Sequence, residues 1–161
     1  MSGEREASVS AHTIDGNATA AMVYSHLRAE VARLRVERDV TATLAVVLVG
    51  DNPASQVYVQ SKSRKAQDVG ILALDYRLPG STSQAELLSV IEQLNADTTI
   101  HGILVQLPLP GQISTSAVLD AIDPRKDVDG FHPFNVGLLA AGDNSSGFIP
   151  CTPFGCLLLL K

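Results

Sequence analysis

Ser55, Tyr58 and Lys62 stand three and four residues apart, so in a helix they share one face. A phenol one turn before an ammonium group forms a pair that can relay a proton, and the ring can also stack on a planar ligand. A lysine can hold or deliver a proton where desolvation lowers its pKa. A solvated helix face has the same spacing, and spacing alone leaves both readings open. Around Lys62, the run Ser61-Lys62-Ser63-Arg64-Lys65 is a basic cluster in an acidic chain. It can steer a carboxylate-bearing substrate or simply decorate the surface.

Two further places carry polar groups that need an explanation. Gln106 follows the apolar run Gly-Ile-Leu-Val at 102–105, near the expected carboxyl end of a strand, and its amide must find partners in a ligand or in loop backbone. Asp127 and Asp129 flank Val128 just before Gly130, in Lys-Asp-Val-Asp-Gly-Phe-His at 126–132. A divalent cation needs more oxygens than this segment offers, so no metal is expected. Gripping the N–H edge of a polar ring fits better, and an Asx-type turn explains Asp-Gly equally well.

The remaining candidates point away from chemistry. His12, His26, His101 and His132 do not pair at metal-ligand spacing, and His132 is expected to pack or cap beside the aspartates. Cys151 and Cys156 lack a second pair, which is a poor zinc pattern. Cys151, between Pro150 and Pro153, reads as part of a rigid turn with nothing nearby to activate a thiolate.

The elements that must position these residues follow from periodicity. Residues 17–38 repeat apolar side chains (Ala20, Val23, Tyr24, Leu27, Val31, Leu34) at helical steps. Residues 44–49 are a continuous apolar run, as in a strand covered on both faces. Asn52-Pro53 starts a helix that Gly70 stops. A second strand is expected over 71–78, a helix from the capping box Ser83-Gln-Ala-Glu86 to about Asn95, a third strand over 100–107, and a short helix from Ser114 or Ser116 to Ile122. Strand and helix alternating with short connections predict an α/β fold, a parallel sheet with helices on both faces in three α/β/α layers. Ligands in such sheets bind beyond the carboxyl ends of the strands, which directs attention to 50–62, 78–83 and 106–111.

Composition bounds the function classes. The chain has 161 residues, 45% of them hydrophobic and 18% charged, enough for one folded domain and unlike a disordered chain. No apolar run approaches the roughly 20 residues of a membrane span. Residues 1–10 lack the apolar stretch of a secretory signal. A net charge of -5 argues against a nucleic-acid footprint. A reduced, cytoplasmic setting is expected. Residues 1–13 read as a leader and 14–150 as the domain. Residues 154–161 read as the start of a helix, with Pro153 in its first turn and four consecutive leucines, as in a chain cut short.

Together these segments resemble one family. Residues 49–62 (Val-Gly-Asp-Asn-Pro-Ala-Ser-Gln-Val-Tyr-Val-Gln-Ser-Lys), 102–110 (Gly-Ile-Leu-Val-Gln-Leu-Pro-Leu-Pro), 126–137 (Lys-Asp-Val-Asp-Gly-Phe-His-Pro-Phe-Asn-Val-Gly) and 150–155 (Pro-Cys-Thr-Pro-Phe-Gly) are similar, in order, to four signatures of a single enzyme family. It is the bifunctional methylenetetrahydrofolate dehydrogenase/methenyltetrahydrofolate cyclohydrolases of the FolD type. The resemblance runs from about residue 14 to the end. It implies one-carbon folate metabolism serving purine biosynthesis, with NADP-dependent oxidation of 5,10-methylenetetrahydrofolate and hydrolysis of the methenyl product to 10-formyltetrahydrofolate. It assigns proton handling to Lys62, stacking on the folate to Tyr58, a hydrogen bond tuning Lys62 to Gln106, and the pterin N–H edge to Asp129. Ser55 would border the same cleft. NADP would bind to a Rossmann-type domain that this chain lacks, with 151–161 as the start of the inter-domain helix. No G-x-G-x-x-G follows any expected strand. The parent would be a homodimer; neither nucleic acid, membrane nor metal is implied. Two alternatives stand beside this reading: a folate-binding fragment without turnover, and the substrate domain of a different two-domain dehydrogenase.

Overall fold

The computed structural model describes residues 13–160, so the expected leader lies outside it apart from Thr13, as does His12. The sheet has three parallel strands, β1 (Thr43–Val49), β2 (Leu72–Leu78) and β3 (Gly102–Val105), in the order β2-β1-β3. The central β1 is apolar throughout because both its faces are covered. Ala45, Val47 and Val49 point with Ile103 and Val105 toward Leu87, Ile91 and Leu94 of α3 (Gln84–Ala96) and Val118 of α4 (Thr115–Ala121). Val46, Leu48 and Leu104 point the other way, onto Val59 of α2 (Pro53–Asp68). This alternation gives the three expected layers. Each fully buried Leu or Ile of the larger cluster adds about 1.5–3 kcal/mol of apolar burial.

Local signals fix the helices that carry the candidate residues. Asn52 Oδ1 accepts the Ser55 amide at 3.1 Å and Pro53 takes the first helical position, so α2 begins just past the carboxyl end of β1. Gly70, at φ +91°, closes α2, and a β-carbon there would come within 3.2 Å of Val31. The capping box of α3 forms in full: Ser83 N donates to Glu86 Oε2 at 2.7 Å and Glu86 N to Ser83 Oγ at 3.3 Å.

Three points differ from the sequence reading. The third strand is Gly102–Val105 rather than 100–107. Ile100 closes a turn on the Asp97 carbonyl, and beyond Gln106, whose amide still reaches the Val47 carbonyl, Pro108 and Pro110 have no N–H to offer a ladder. Helix α1 (Gly16–Arg38) forms as expected, with Tyr24, Val31 and Leu34 of its apolar face half-buried. It lies against the end of α2, where Arg28 Nε reaches the Asp68 carbonyl at 2.9 Å and Lys65 sits 5.2 Å from the Tyr24 ring.

An unexpected helix, α5 (Pro133–Ala140), follows the aspartates, capped by His132, whose Nδ1 accepts the Phe134 amide at 3.0 Å. Capping by His132 was anticipated; the helix was hidden because His is not among the usual cap residues and Gly137 interrupts its pattern. Finally, 150–153 is not a separate turn but the start of α6 (Cys151–Leu159). Pro153 is tolerated there because amides of a first turn have no intrahelical partner to lose. Its leucines stay largely uncovered: Leu157 is 56% and Leu160, just past its end, 75% exposed. Among the described residues no helix is long and apolar enough to cross a membrane.

Candidate active site

The helix that starts at Pro53 carries its functional face back along the sheet, and Lys62 reaches the loop that leaves β3. Lys62 Nζ donates to Gln106 Oε1 at 3.3 Å. Gln106 Nε2 donates in turn to its neighbour's carbonyl, Leu107 O, at 2.6 Å. That second bond fixes which end of the amide faces the lysine, because only the oxygen can accept from an ammonium. Gln106 thus satisfies loop backbone with one atom and meets Lys62, the contact the resemblance implies, with the other.

Asp129 joins the pair by charge. Burial is the largest influence on its carboxyl and raises its pKa; the Lys62 ammonium pulls the other way, and the Asp127 carboxylate adds to the rise. Cys151 stands in the same field. Its thiol is raised first by desolvation and then by Asp129, against a lowering by Lys62, so it is less of a thiolate than a free cysteine, as expected. Its sulfur donates to the Val128 carbonyl at 3.5 Å.

The other candidates take distinct positions. Tyr58 lies one turn before Lys62 with its ring open to solvent, 64% exposed, a free apolar and polar face for a planar ligand. Ser55 is buried under the first turn of α2. The loop beyond Gln106, with Pro108 and Pro110, joins Gly50, Asn52 and Gly80 to line an open groove of about 320 Å³ at the carboxyl ends of the strands. The basic run does not act as one patch: Ser63 turns inward to Asp75 at 2.6 Å, Lys65 pairs with Asp68 at 3.7 Å, and Lys62 alone reaches Gln106.

The two aspartates have separate tasks. Asp127, 2% exposed, accepts the His132 amide at 2.8 Å and the Asn135 side-chain amide at 2.9 Å, so it is the turn-forming carboxylate. Asp129, half-buried, makes no side-chain hydrogen bond among the described residues. Asn135 and the Asp127 network were not singled out in the sequence; Asn135 lies inside the 126–137 signature, but nothing local tells which groups its side chain meets. His101 accepts the Thr43 amide at 3.2 Å and is structural. Among the described residues no cluster of three His, Cys, Asp or Glu could hold a metal ion.

Comparison with known proteins agrees with this arrangement. Residues 14–129 match the family model described as "Tetrahydrofolate dehydrogenase/cyclohydrolase, catalytic domain". The chain is 56% identical over 151 residues to the "Bifunctional protein FolD" of Magnetococcus marinus, covering 94% of this chain and 52% of that protein. The FolD methylenetetrahydrofolate dehydrogenase/cyclohydrolase of Campylobacter jejuni superposes with a TM-score of 0.89 at 49% identity, over 92% of this chain and 52% of that one. The Trypanosoma brucei enzyme, solved with NADP cofactor and an inhibitor, gives a TM-score of 0.88 at 34% identity, over 93% and 51%. The chain therefore spans about half the length of the relatives it matches. These matches leave no support for the substrate domain of an unrelated dehydrogenase. By the family model and by relatives above half identity, the chain belongs to the tetrahydrofolate dehydrogenase/cyclohydrolase family, as its catalytic domain.

Proposed function

We propose that this chain supplies the folate site and the proton-handling lysine of a methylenetetrahydrofolate dehydrogenase/methenyltetrahydrofolate cyclohydrolase. The observation that carries the reading is the 3.3 Å contact between Lys62 Nζ and Gln106 Oε1, with Asp129 in the same field. Three chemically different groups, from a helix, a strand end and a turn, converge where α/β folds bind ligands.

Asp129 grips the N–H edge of the pterin, since an ionised carboxylate accepts two parallel donors. The exposed Tyr58 ring stacks on the aromatic part of the folate, and Ser55 borders the cleft. The methenyl carbon is already cationic, so water can add to it without a metal. Lys62, in its amine form, takes one proton from the attacking water and returns it to the ring nitrogen as the carbon–nitrogen bond breaks. The adduct's hydroxyl proton leaves to solvent as the formyl carbonyl forms, and 10-formyltetrahydrofolate results. Gln106 keeps Lys62 aimed at that carbon.

The described residues do not fit NADP. The turn after β1 is Gly50-Asp51-Asn52-Pro53, which puts a carboxylate and a residue without N–H where a pyrophosphate needs a glycine-rich cradle of amide donors. Hydride transfer is accordingly not assigned to these residues, and NADP and the dimer contacts of a whole enzyme belong to other parts of such a protein. A cytoplasmic role in one-carbon supply to purine synthesis is the setting that follows.

Titration of the chain with 5,10-methenyltetrahydrofolate tests the site. Saturable binding that weakens at least tenfold in Asp129→Ala is expected; equal binding by both proteins would overturn the assignment.

A further inference from the structure

Asp129 sits in a turn whose carboxylate anchor, Asp127, is itself held by a residue of α5. Asn135, 1% exposed on α5, donates its amide to Pro124 O at 2.9 Å and to Asp127 Oδ2 at 2.9 Å. Both partners are acceptors only, so the nitrogen must face them and the amide orientation is determined. Asp127 Oδ2 also takes the His132 amide at 2.8 Å, while the Asp127 carbonyl takes the Gly130 amide at 3.2 Å. Val128 and Asp129 lie between these anchored positions.

The same amide forms a wall for the next segment. A β-carbon on Gly147 would come within 2.7 Å of Asn135 Oδ1, and one on Gly130, at φ +68°, within 2.8 Å of the Ile149 and Pro150 backbone. Two glycines thus let residues 147–150 lie directly on Asn135 and on the Asp129 turn, and Cys151 closes the contact on the Val128 carbonyl.

From this geometry we infer that Asn135 is a positioning residue for Asp129, acting through the Asp127 carboxylate and the Gly130 turn. The inference rests on the folate reading for its consequence, because the residue positioned is the one that grips the pterin. Asn135 touches no substrate atom in this account. Its buried amide locks the turn against the entry to α6, so that Asp129 is held within the charge field of Lys62 before any ligand arrives.

Two substitutions of Asn135 test this. Asn135→Asp sets a carboxylate against the Pro124 and Asp127 oxygens that the amide now serves as donor; Asn135→Ala removes the donor without adding a charge. Amide hydrogen exchange at Gly130 and His132, followed by NMR in the full chain, reads the turn directly, and the affinity for 5,10-methenyltetrahydrofolate reads its consequence. In Asn135→Asp both amides should exchange at least about tenfold faster, the loss expected for a hydrogen bond to a charged group, with β1 amides unchanged. Asn135→Ala should lose protection and folate affinity together. Unaltered protection in Asn135→Asp would overturn the inference, as would unaltered protection in Asn135→Ala. If Asn135→Asp does not fold, Asn135→Ala decides alone: faster exchange at the turn amides with β1 amides unchanged supports the inference, and unaltered protection overturns it. If the unsubstituted chain fails to bind the folate, the functional reading falls, while the exchange rates still decide what Asn135 does.

Discussion

Lys62 and Gln106 are separated by 44 positions in the chain and by 3.3 Å in space. The contact exists because α2 runs back along the sheet from the end of β1, while β3, on the other side of the same strand, delivers Gln106 at its carboxyl end. The glutamine oxygen accepts from the Lys62 side chain, and the glutamine is itself held by the Leu107 carbonyl. In the proposed mechanism this contact aims the lysine.

Replacing Gln106 should therefore disarm Lys62 without unfolding the domain, since Gln106 lies outside both apolar clusters. For Gln106→Ala we expect cyclohydrolase turnover to fall about ten- to a hundredfold, the kinetic equivalent of losing a hydrogen bond to a charged group worth about 1.5–3 kcal/mol. Thermal unfolding should change little. Unchanged turnover, measured by the loss of methenyl absorbance, would remove Gln106 from the mechanism.

Asp129 trades stability for binding. Burial holds its carboxyl above the ordinary range even with Lys62 nearby, so ionising it opposes folding. A group whose folded pKa is raised contributes stability below its unfolded pKa and loses that contribution as pH rises through the folded value. Asp129→Asn should consequently raise the melting temperature at neutral pH, and the gain should vanish near pH 3, where the native side chain is protonated too. The same variant should bind folate at least tenfold more weakly. A lower melting temperature at pH 7 would show that the attraction to Lys62 outweighs burial.

Gly130 combines a left-handed backbone with contact so close that any side chain meets the 148–150 backbone within 3 Å. Gly130→Ala should lower stability by about 1–3 kcal/mol, the cost of a strained backbone position. It should also weaken folate binding, because the displaced turn carries Asp129. Gly137→Ala, where a β-carbon meets nothing, is the control and should bind normally. Equal folate affinity in the two variants would mean that the turn does not set the position of Asp129.

The parts of this arrangement that were legible in the sequence are those governed by local rules. The Asn52-Pro53 start, the Ser83 capping box, the glycine stop at Gly70 and the apolar run of β1 each follow from short-range chemistry, and each formed as expected. The spacing of Tyr58 and Lys62 placed both on one helix, and the resemblance of four segments joined them to Gln106 and Asp129. What stayed hidden depends on partners distant in sequence. Nothing near Asn135 indicates that it will meet Pro124, Asp127 and Gly147 at once. The division of labour between Asp127 and Asp129 was likewise invisible, because two carboxylates two residues apart differ only in what the fold packs around them. Helix α1 was legible too: its periodic face forms as expected and packs at the end of α2, where Val31 meets the turn at Gly70.

In the proposed mechanism Lys62 moves the proton in methenyl hydrolysis. The most direct test is the decay of 5,10-methenyltetrahydrofolate absorbance in the presence of the purified chain, beside Lys62→Ala, with folate binding measured for both. Decay above buffer is expected for the chain and decay at the buffer rate for Lys62→Ala, with the variant still binding the folate. Equal decay by the two proteins would contradict this mechanism, and so would a chain that binds the folate yet leaves it at the buffer rate.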